Sequence, residues 1–220
     1  MRTAAVLPVK RFAVAKRRLR AAVVDELRGE LARAMVEDVL GALARCVAID
    51  RTLVVTADPL AAELAHASGA LVISDDAENG QSVAVALGVR RAIAERYERV
   101  LCVPGDCPAL DAHELDGLLQ REPREREEVV IVPDRHGTGT NALVLAPPDA
   151  IAPSFGPESF ERHCRIAAAA GLGVQVMRPP SLLLDIDTGA DLAALRSQLG
   201  GRAGRHTRAV LEHRPATTTS

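Results

Sequence analysis

Val100-Leu-Cys-Val-Pro-Gly-Asp106-Cys-Pro-Ala-Leu110 decides how the chain folds. The apolar run Val100 to Val103 is too short for a buried helix and suits a strand covered on both faces. Pro104 and Gly105 stop that strand and leave Asp106 just past its carboxyl end. In open parallel α/β sheets, ligands bind at that edge. A carboxylate there either caps backbone N–H groups or ligates a metal that faces a phosphate, and this stretch alone leaves both open. Asp111-Ala-His-Glu114 then reads as a helix start, with Asp111 at the N-cap and Glu114 at N3.

Upstream, the same alternation repeats. Thr3 to Val9 (TAAVLPV), Arg51 to Thr56 (RTLVVT) and Ala70 to Ser74 read as short strands. Asp25 to Cys46 carries helical spacing, with Leu27, Leu31, Met35, Val39, Leu40 and Leu43 on one side. A second helix spans Pro59 to Ser68 and ends at Gly69; a third runs from a Ser82 cap to Tyr97. Strands alternating with helices over short loops are the doubly wound pattern. The chain is therefore an α/β protein, with a mostly parallel central sheet flanked by helices. Strand order is not legible at this level.

Composition narrows the possibilities. The 220 residues fit one such domain, and apolar residues make up 48% with aromatics at only 2%, so the core is Val, Leu, Ile and Ala. A net charge of −2 supplies no global field for nucleic acid or anionic membrane, and neither is expected as a partner. No run reaches transmembrane length, and the amino terminus reads as a strand rather than a signal peptide, so a cytoplasmic location is expected. Cys46, Cys102, Cys107 and Cys164 form no C-x-x-C pair and no common zinc pattern, which predicts reduced thiols. His66, His113 and His136 share no ligand spacing, and no histidine is given a catalytic role. The domain is expected to span residues 1–200, with 201–220 a mobile tail poor in apolar residues.

The loops carry the chemistry. Lys10 to Arg20 holds six cations directly after the first strand, either a solvated face or a cradle for a triphosphate. Neither G-x-x-x-x-G-K nor G-x-G-x-x-G occurs. Asp75 to Ser82 is an acidic loop with a turn at Asn79-Gly80. After a helix from Asp111 to Glu122, a charged loop from Arg121 to Glu128 and a strand from Val129 to Val132, the segment Pro133 to Asn141 (PDRHGTGTN) is dense in glycine and hydroxyls. It is either a hairpin turn before the strand Ala142 to Leu145 or a wrap of N–H and Thr hydroxyls around an anion. In Pro153-Ser-Phe-Gly156-Pro157-Glu158-Ser159-Phe160, Gly156 fits an N-cap, Pro157 N1 and Ser159 N3 of a helix running to Ala170, whose free N–H groups form an anion site. Gly173 to Met177 is a strand. In Leu182-Leu-Leu-Asp185-Ile-Asp187-Thr188, a period of two sends Asp185 and Asp187 to one face. Two carboxylates so close need a cation between them, and a divalent ion is the usual one. Capping the helix from Gly189 is the other reading, and it suits Asp187 better than Asp185.

Together these segments resemble the CofC-type guanylyltransferases of coenzyme F-420 biosynthesis, which act on 2-phospho-L-lactate or phosphoenolpyruvate. The likeness rests on P-V-K with A-K-R-R-L (Pro8 to Leu19), P-G-D-C-P-A-L (Pro104 to Leu110), G-T-G-T-N (Gly137 to Asn141), F-G-P-E-S-F (Phe155 to Phe160) and D-I-D-T (Asp185 to Thr188). The first two motifs recur across nucleotidyltransferases; the pair G-T-G-T-N and F-G-P-x-S-F is far more specific.

The resemblance implies a single-domain nucleotidyltransferase of the nucleotide-diphospho-sugar transferase type, in which a three-carbon phosphoacid attacks the α-phosphate of GTP and pyrophosphate leaves. It implies Mg²⁺ on Asp106, Asp185 and Asp187, and the substrate carboxylate on Thr140 with backbone at Gly156 and Ser159. It places Pro8, Lys10, Lys16 and Gly80 along the nucleotide. Asn79-Gly-Gln-Ser82 departs from the Gly-Leu-Asn-like segment expected after the third strand, which leaves the base contacts open. Phosphoenolpyruvate is the expected acceptor, on the Ala/Arg-rich composition, with 2-phospho-L-lactate and 3-phospho-D-glycerate as the alternatives. A downstream transferase that consumes the product is the expected partner. Transfer to a sugar phosphate or a molybdopterin, and non-catalytic nucleotide binding, are the competing readings.

Overall fold

Seven strands form one sheet in the computed structural model of the chain, which describes residues 1–16, 19, 23–121, 128–198 and 204–213. In the first half, β1 (Thr3–Val9), β2 (Arg51–Thr56), β3 (Leu71–Ser74) and β4 (Arg99–Cys102) alternate with α1 (Asp25–Arg45), α2 (Pro59–Ala67) and α3 (Gln81–Ala94). There follow α4 (Ala112–Leu119), β5 (Glu128–Pro133), β6 (Thr140–Ala146), α5 (Ser159–Ala169), β7 (Val174–Val176), α6 (Gly189–Gln198) and α7 (Arg205–His213). The sheet order is β3-β2-β1-β4-β6-β5-β7. All pairings are parallel except those of β6, which runs antiparallel to both β4 and β5.

The period of two along the strands sorts the core into two layers. Ala5, Leu7, Val54, Leu101, Val130 and Val144 face α1, α4 and α6. Ala4, Val6, Leu53, Val55, Val100 and Leu143 face α3 and α5. With both faces covered, β1 and β4 read as continuous apolar runs. Gly88 lets α3 lie close against β1, because a Cβ there would stand 2.3 Å from Val6 Cγ1.

Several local expectations hold. The Asp111 carboxylate accepts from the N–H groups of His113 and Glu114 and caps α4. Glu114 does not close a capping box; its Oε2 accepts from the Ser181 N–H at 2.9 Å. All four cysteines are free thiols.

Others are corrected. Ser82 does not cap α3, which starts from Gly80; its Oγ accepts from the Phe155 N–H at 2.8 Å instead. Leu182 to Thr188 is no strand but an irregular segment after a 3-10 turn at Pro180–Leu182, tied down where the Ile186 N–H donates to the Asp106 carbonyl at 3.0 Å. The end of the chain is not all tail. Residues 205–213 form α7, which lays Leu211 into the core, and the Asp38 carboxylate of α1 accepts from the N–H groups of His206 and Thr207 at 2.9 and 2.8 Å. A cap supplied from a distant helix leaves no local sequence signature. Residues 199–203 and 214–220, like 122–127 of the charged loop and Arg17, Arg18 and Arg20 of the basic run, lie outside the described residues.

Asp38→Ala removes both acceptors from the start of α7 and is expected to cost about 1–2 kcal/mol of stability. Urea unfolding of the two proteins measures this; an unchanged midpoint would mean that α7 contributes nothing to the cooperative fold.

Candidate active site

The carboxyl ends of β1, β2, β3 and β4 share one edge of the sheet, and the reversal of β6 brings its first residue, Thr140, to that same edge. There a cavity of 1150 Å³ is lined by Pro8, Lys10, Lys16, Gly80, Asp106, Thr140, Gly156, Ser159, Asp185 and Asp187, along with other residues. Every candidate site residue from the sequence thus lies on a single wall system, contributed by six separate segments.

The centre of the cavity is an electrostatic knot. Lys16, with its backbone in the left-handed region (φ 54), reaches between two of the aspartates. Its Nζ donates to Asp106 Oδ2 at 2.5 Å and to Asp187 Oδ1 at 3.1 Å. Burial works against the Lys16 ammonium, but the charges of Asp106 and Asp187 outweigh it and hold its pKa above the ordinary value. Asp185 sits beside them, and among the described residues no cation pairs with it. Burial first, and then the charge of Asp106, push its carboxyl up to about 6, against a hydrogen bond from Asn141 Nδ2 at 3.2 Å. Asn141 also donates to the Leu182 carbonyl at 2.8 Å, so it fixes where Asp185 sits. Asp106 Oδ1 is buried and accepts no hydrogen bond.

Among the described residues, no three carboxylate, histidine or cysteine side chains already converge as a closed metal site. The donors nevertheless suit a hard divalent cation: they are all oxygens, one is a covered orphan, and burial and the Asp106 charge hold one carboxyl above its ordinary range. Asp187 is not a helix cap. Thr188 takes that role, its Oγ1 accepting from the Asp191 N–H at 3.3 Å, while the Asp191 carboxylate inside α6 accepts in return from the N–H groups of Asp187 and Thr188 at 3.1 and 2.7 Å.

The acceptor end differs from expectation. α5 begins at Ser159, after a turn in which Gly156 (φ 113) and Glu158 (φ 56) adopt left-handed backbone conformations. The Ser159 N–H donates to the Gly156 carbonyl and the Phe160 N–H to the Thr138 carbonyl, both at 3.1 Å. Both N–H groups are thus engaged within the turn, while Gly156 and Ser159 line the cavity. The loop before Thr140 is a hairpin turn closed by Asp134, whose carboxylate accepts from the Thr138 N–H at 2.9 Å. Burial raises the Asp134 carboxyl, but the N–H groups of Thr138 and Gly139 prevail and hold it below the ordinary carboxylate range.

His163 is the residue the sequence reading missed. It is fully buried, with Nε2 accepting from the Ser154 N–H at 2.9 Å and Nδ1 lying 3.0 Å from Thr140 Oγ1. An amide N–H can only donate, so Nε2 carries the lone pair and the ring hydrogen is on Nδ1. The imidazole therefore donates to Thr140, and the hydroxyl hydrogen of Thr140 remains for something in the cavity. Burial and the nearby Arg162 push the imidazole pKa down to about 4, in keeping with a neutral ring. The one signal in the sequence was its position four residues after Ser159, one helical turn along α5, which went unread.

The family model described as "Guanylyl transferase CofC like" matches residues 3–212. The chain belongs to this family. A phosphoenolpyruvate guanylyltransferase of Conexibacter woesei is 49% identical over 96% of both chains. A 2-phospho-L-lactate guanylyltransferase of Methanothermobacter thermautotrophicus is 36% identical, covering 89% of this chain and 84% of its own. In fold, the chain is similar to a nucleotide-diphospho-sugar transferase structure from Desulfovibrio desulfuricans, with a TM-score of 0.74 and 19% identity over 97% of this chain and 95% of that one. The CofC-family chain is thus a nucleotidyltransferase enzyme in fold and class, and among its described residues no helix is long and apolar enough to cross a membrane.

The raised Asp185 carboxyl has a consequence for the metal-free protein. A group with a folded-state pKa above its unfolded value destabilises the fold once it must ionise, so stability is lost as pH rises from about 4 through about 6. Asp185→Asn keeps an acceptor for Asn141 and cannot ionise. In chelator, it is expected to raise the melting temperature more at pH 8 than at pH 5; an equal gain at both would remove the burial argument.

Proposed function

We propose that the enzyme joins GMP from GTP to the phosphate of a three-carbon phosphoacid, with phosphoenolpyruvate as acceptor, releasing pyrophosphate in coenzyme F-420 biosynthesis. The observation that carries the acceptor reading is the His163–Thr140 hydrogen bond, which leaves an oriented hydroxyl donor on the cavity wall across from the aspartates. An acid with a phosphate at one end and a carboxylate at the other spans that arrangement. The relatives named above, at 49% identity for phosphoenolpyruvate and 36% for 2-phospho-L-lactate, support the same class and favour the former.

Asp106, Asp185 and Asp187 would hold Mg²⁺. When bound, the ion supplies charge neutralisation between the attacking and attacked phosphates. Lys16, which spans two of these carboxylates, would hold its ammonium beside the triphosphate. Lys10, exposed on the same wall, adds a second positive charge. Thr140 and the N–H of Gly156 hold the acceptor carboxylate. An oxygen of the acceptor phosphate attacks the α-phosphorus, the bond from that phosphorus to the bridging oxygen breaks, and pyrophosphate leaves with the electron pair. The nucleophile is already an anion at neutral pH, so no general base is required. Catalysis is then positioning and electrostatics.

Asp106→Asn is expected to lower pyrophosphate release by at least about a thousandfold with the melting temperature nearly unchanged, because one ligand of an essential ion is lost. Retained Mg²⁺-dependent turnover would take Asp106 out of the site. Thr140→Val and His163→Gln are each expected to raise the acceptor KM by about tenfold or more and leave the GTP KM alone, the size of one hydrogen bond to a charged group. The double variant should be no worse than Thr140→Val. Additive losses, or equal losses on GTP, would contradict an action of His163 through Thr140; an unchanged acceptor KM in Thr140→Val would contradict the carboxylate assignment itself.

A further inference from the structure

We propose that Asp75 reads the guanine base, its carboxylate accepting from the ring N1–H and the exocyclic 2-amino group. The inference rests on the use of GTP and deepens that reading.

Position comes first. The sheet order β3-β2-β1-β4-β6 divides the cavity edge into three compartments. Thr140 opens β6 at one end, while Lys10, Lys16 and Asp106 follow β1 and β4 in the middle. The remaining compartment, beyond β2 and β3, is lined by Val55, Ala57, Gly80 and Ala84 together with the polar side chains of Asp75, Glu78 and Gln81. With the acceptor and the reacting phosphates assigned to the first two, the nucleoside is left with the third. Small apolar side chains there suit the flat faces of a purine.

Second, among the described residues, nothing donates to one oxygen of the Asp75 carboxylate. It is only 8% exposed, and its Oδ1 is buried and accepts no hydrogen bond. The other carboxylates at this end are committed. Asp58 accepts from the N–H groups of Phe12, Leu60 and Ala61, Asp76 from the Ser74 hydroxyl, and Glu78 from Arg11. An unpaired buried carboxylate oxygen weakens the fold, so its presence on a cavity wall marks a place where a ligand supplies the donor.

The third argument is the chemistry of the base. Guanine presents two adjacent N–H donors along one edge, which a carboxylate meets with both oxygens. Adenine and cytosine place a lone pair at the equivalent ring nitrogen, and uracil flanks its single N–H with carbonyls, so each sets an acceptor against the carboxylate. Asp75 therefore selects for guanine as much by repulsion as by attraction.

The test compares pyrophosphate release by the full-length enzyme with GTP, inosine triphosphate and xanthosine triphosphate, in Mg²⁺ and the active phosphoacid. Inosine lacks the 2-amino group; xanthosine replaces it with a carbonyl. The wild-type enzyme is expected to prefer GTP over inosine triphosphate by about tenfold in kcat/KM. Asp75→Asn presents one acceptor and one donor. It should lose about ten- to a hundredfold with GTP and gain with xanthosine triphosphate, the acceptor KM staying unchanged. A variant that keeps GTP ahead of xanthosine triphosphate, or a wild-type enzyme that uses inosine triphosphate as well as GTP, would overturn the assignment. The wild-type comparison stands even if the variant does not fold. If the wild-type enzyme released no pyrophosphate from GTP, the transfer reading would fail instead, and calorimetric binding of the three nucleotides would still report on Asp75.

Discussion

Three aspartates and one lysine at the edge of the sheet set the terms for the rest of the molecule. Asp106, Asp185 and Asp187 are gathered in one cavity, and among the described residues Lys16 pairs with two of them. The cost shows in the Asp185 carboxyl, pushed up to about 6, and in the unpartnered Asp106 Oδ1. Such a site persists because what lies beneath it is rigid. β1 and β4 are buried along nearly their whole length, and the helices press on them from both sides. The loops can then carry poorly compensated charge without the fold giving way.

The sheet also arranges the chemistry in space. Parallel strands deliver their carboxyl ends to one edge, and a single antiparallel strand, β6, brings the start of a strand to the same place. The cavity therefore runs from Asp75 through Lys16 and Asp106 to Thr140, the order of the proposed base, triphosphate and acceptor sites. His163 and Asn141 make no use of charge; each orients a neighbour that faces the cavity.

What was legible in the sequence was whatever depends on periodicity or on a motif that acts alone. The strand at Val100, the Asp111 cap and the placement of Asp106 after a strand end all follow from residues adjacent in the chain. Asp185 and Asp187 do reach the same cavity, although the segment is irregular and its direction comes from the Ile186 N–H bonding to the Asp106 carbonyl. Ser82, read as a cap, serves Phe155 instead, and α5 starts later than Gly156-Pro157 suggested because a turn intervenes. Asp38 holds α7 from far along the chain. In each of these cases a hydrogen-bonding side chain found a partner distant in sequence, which composition and spacing do not encode.

By itself, the sequence determined the α/β class, the alternation that brings loops to one edge, and the charged and hydroxyl residue types that the loops carry there. Those are consequences of hydrophobic period and of charge, both local properties. The tertiary structure decided which carboxylates share Lys16, which tautomer His163 holds and therefore which hydrogen Thr140 offers. It also decided which buried aspartate was left unpaired beside an apolar slot. Each of these depends on the distance between atoms contributed by separate strands and helices, and such distances are set only when the two core layers close on the sheet.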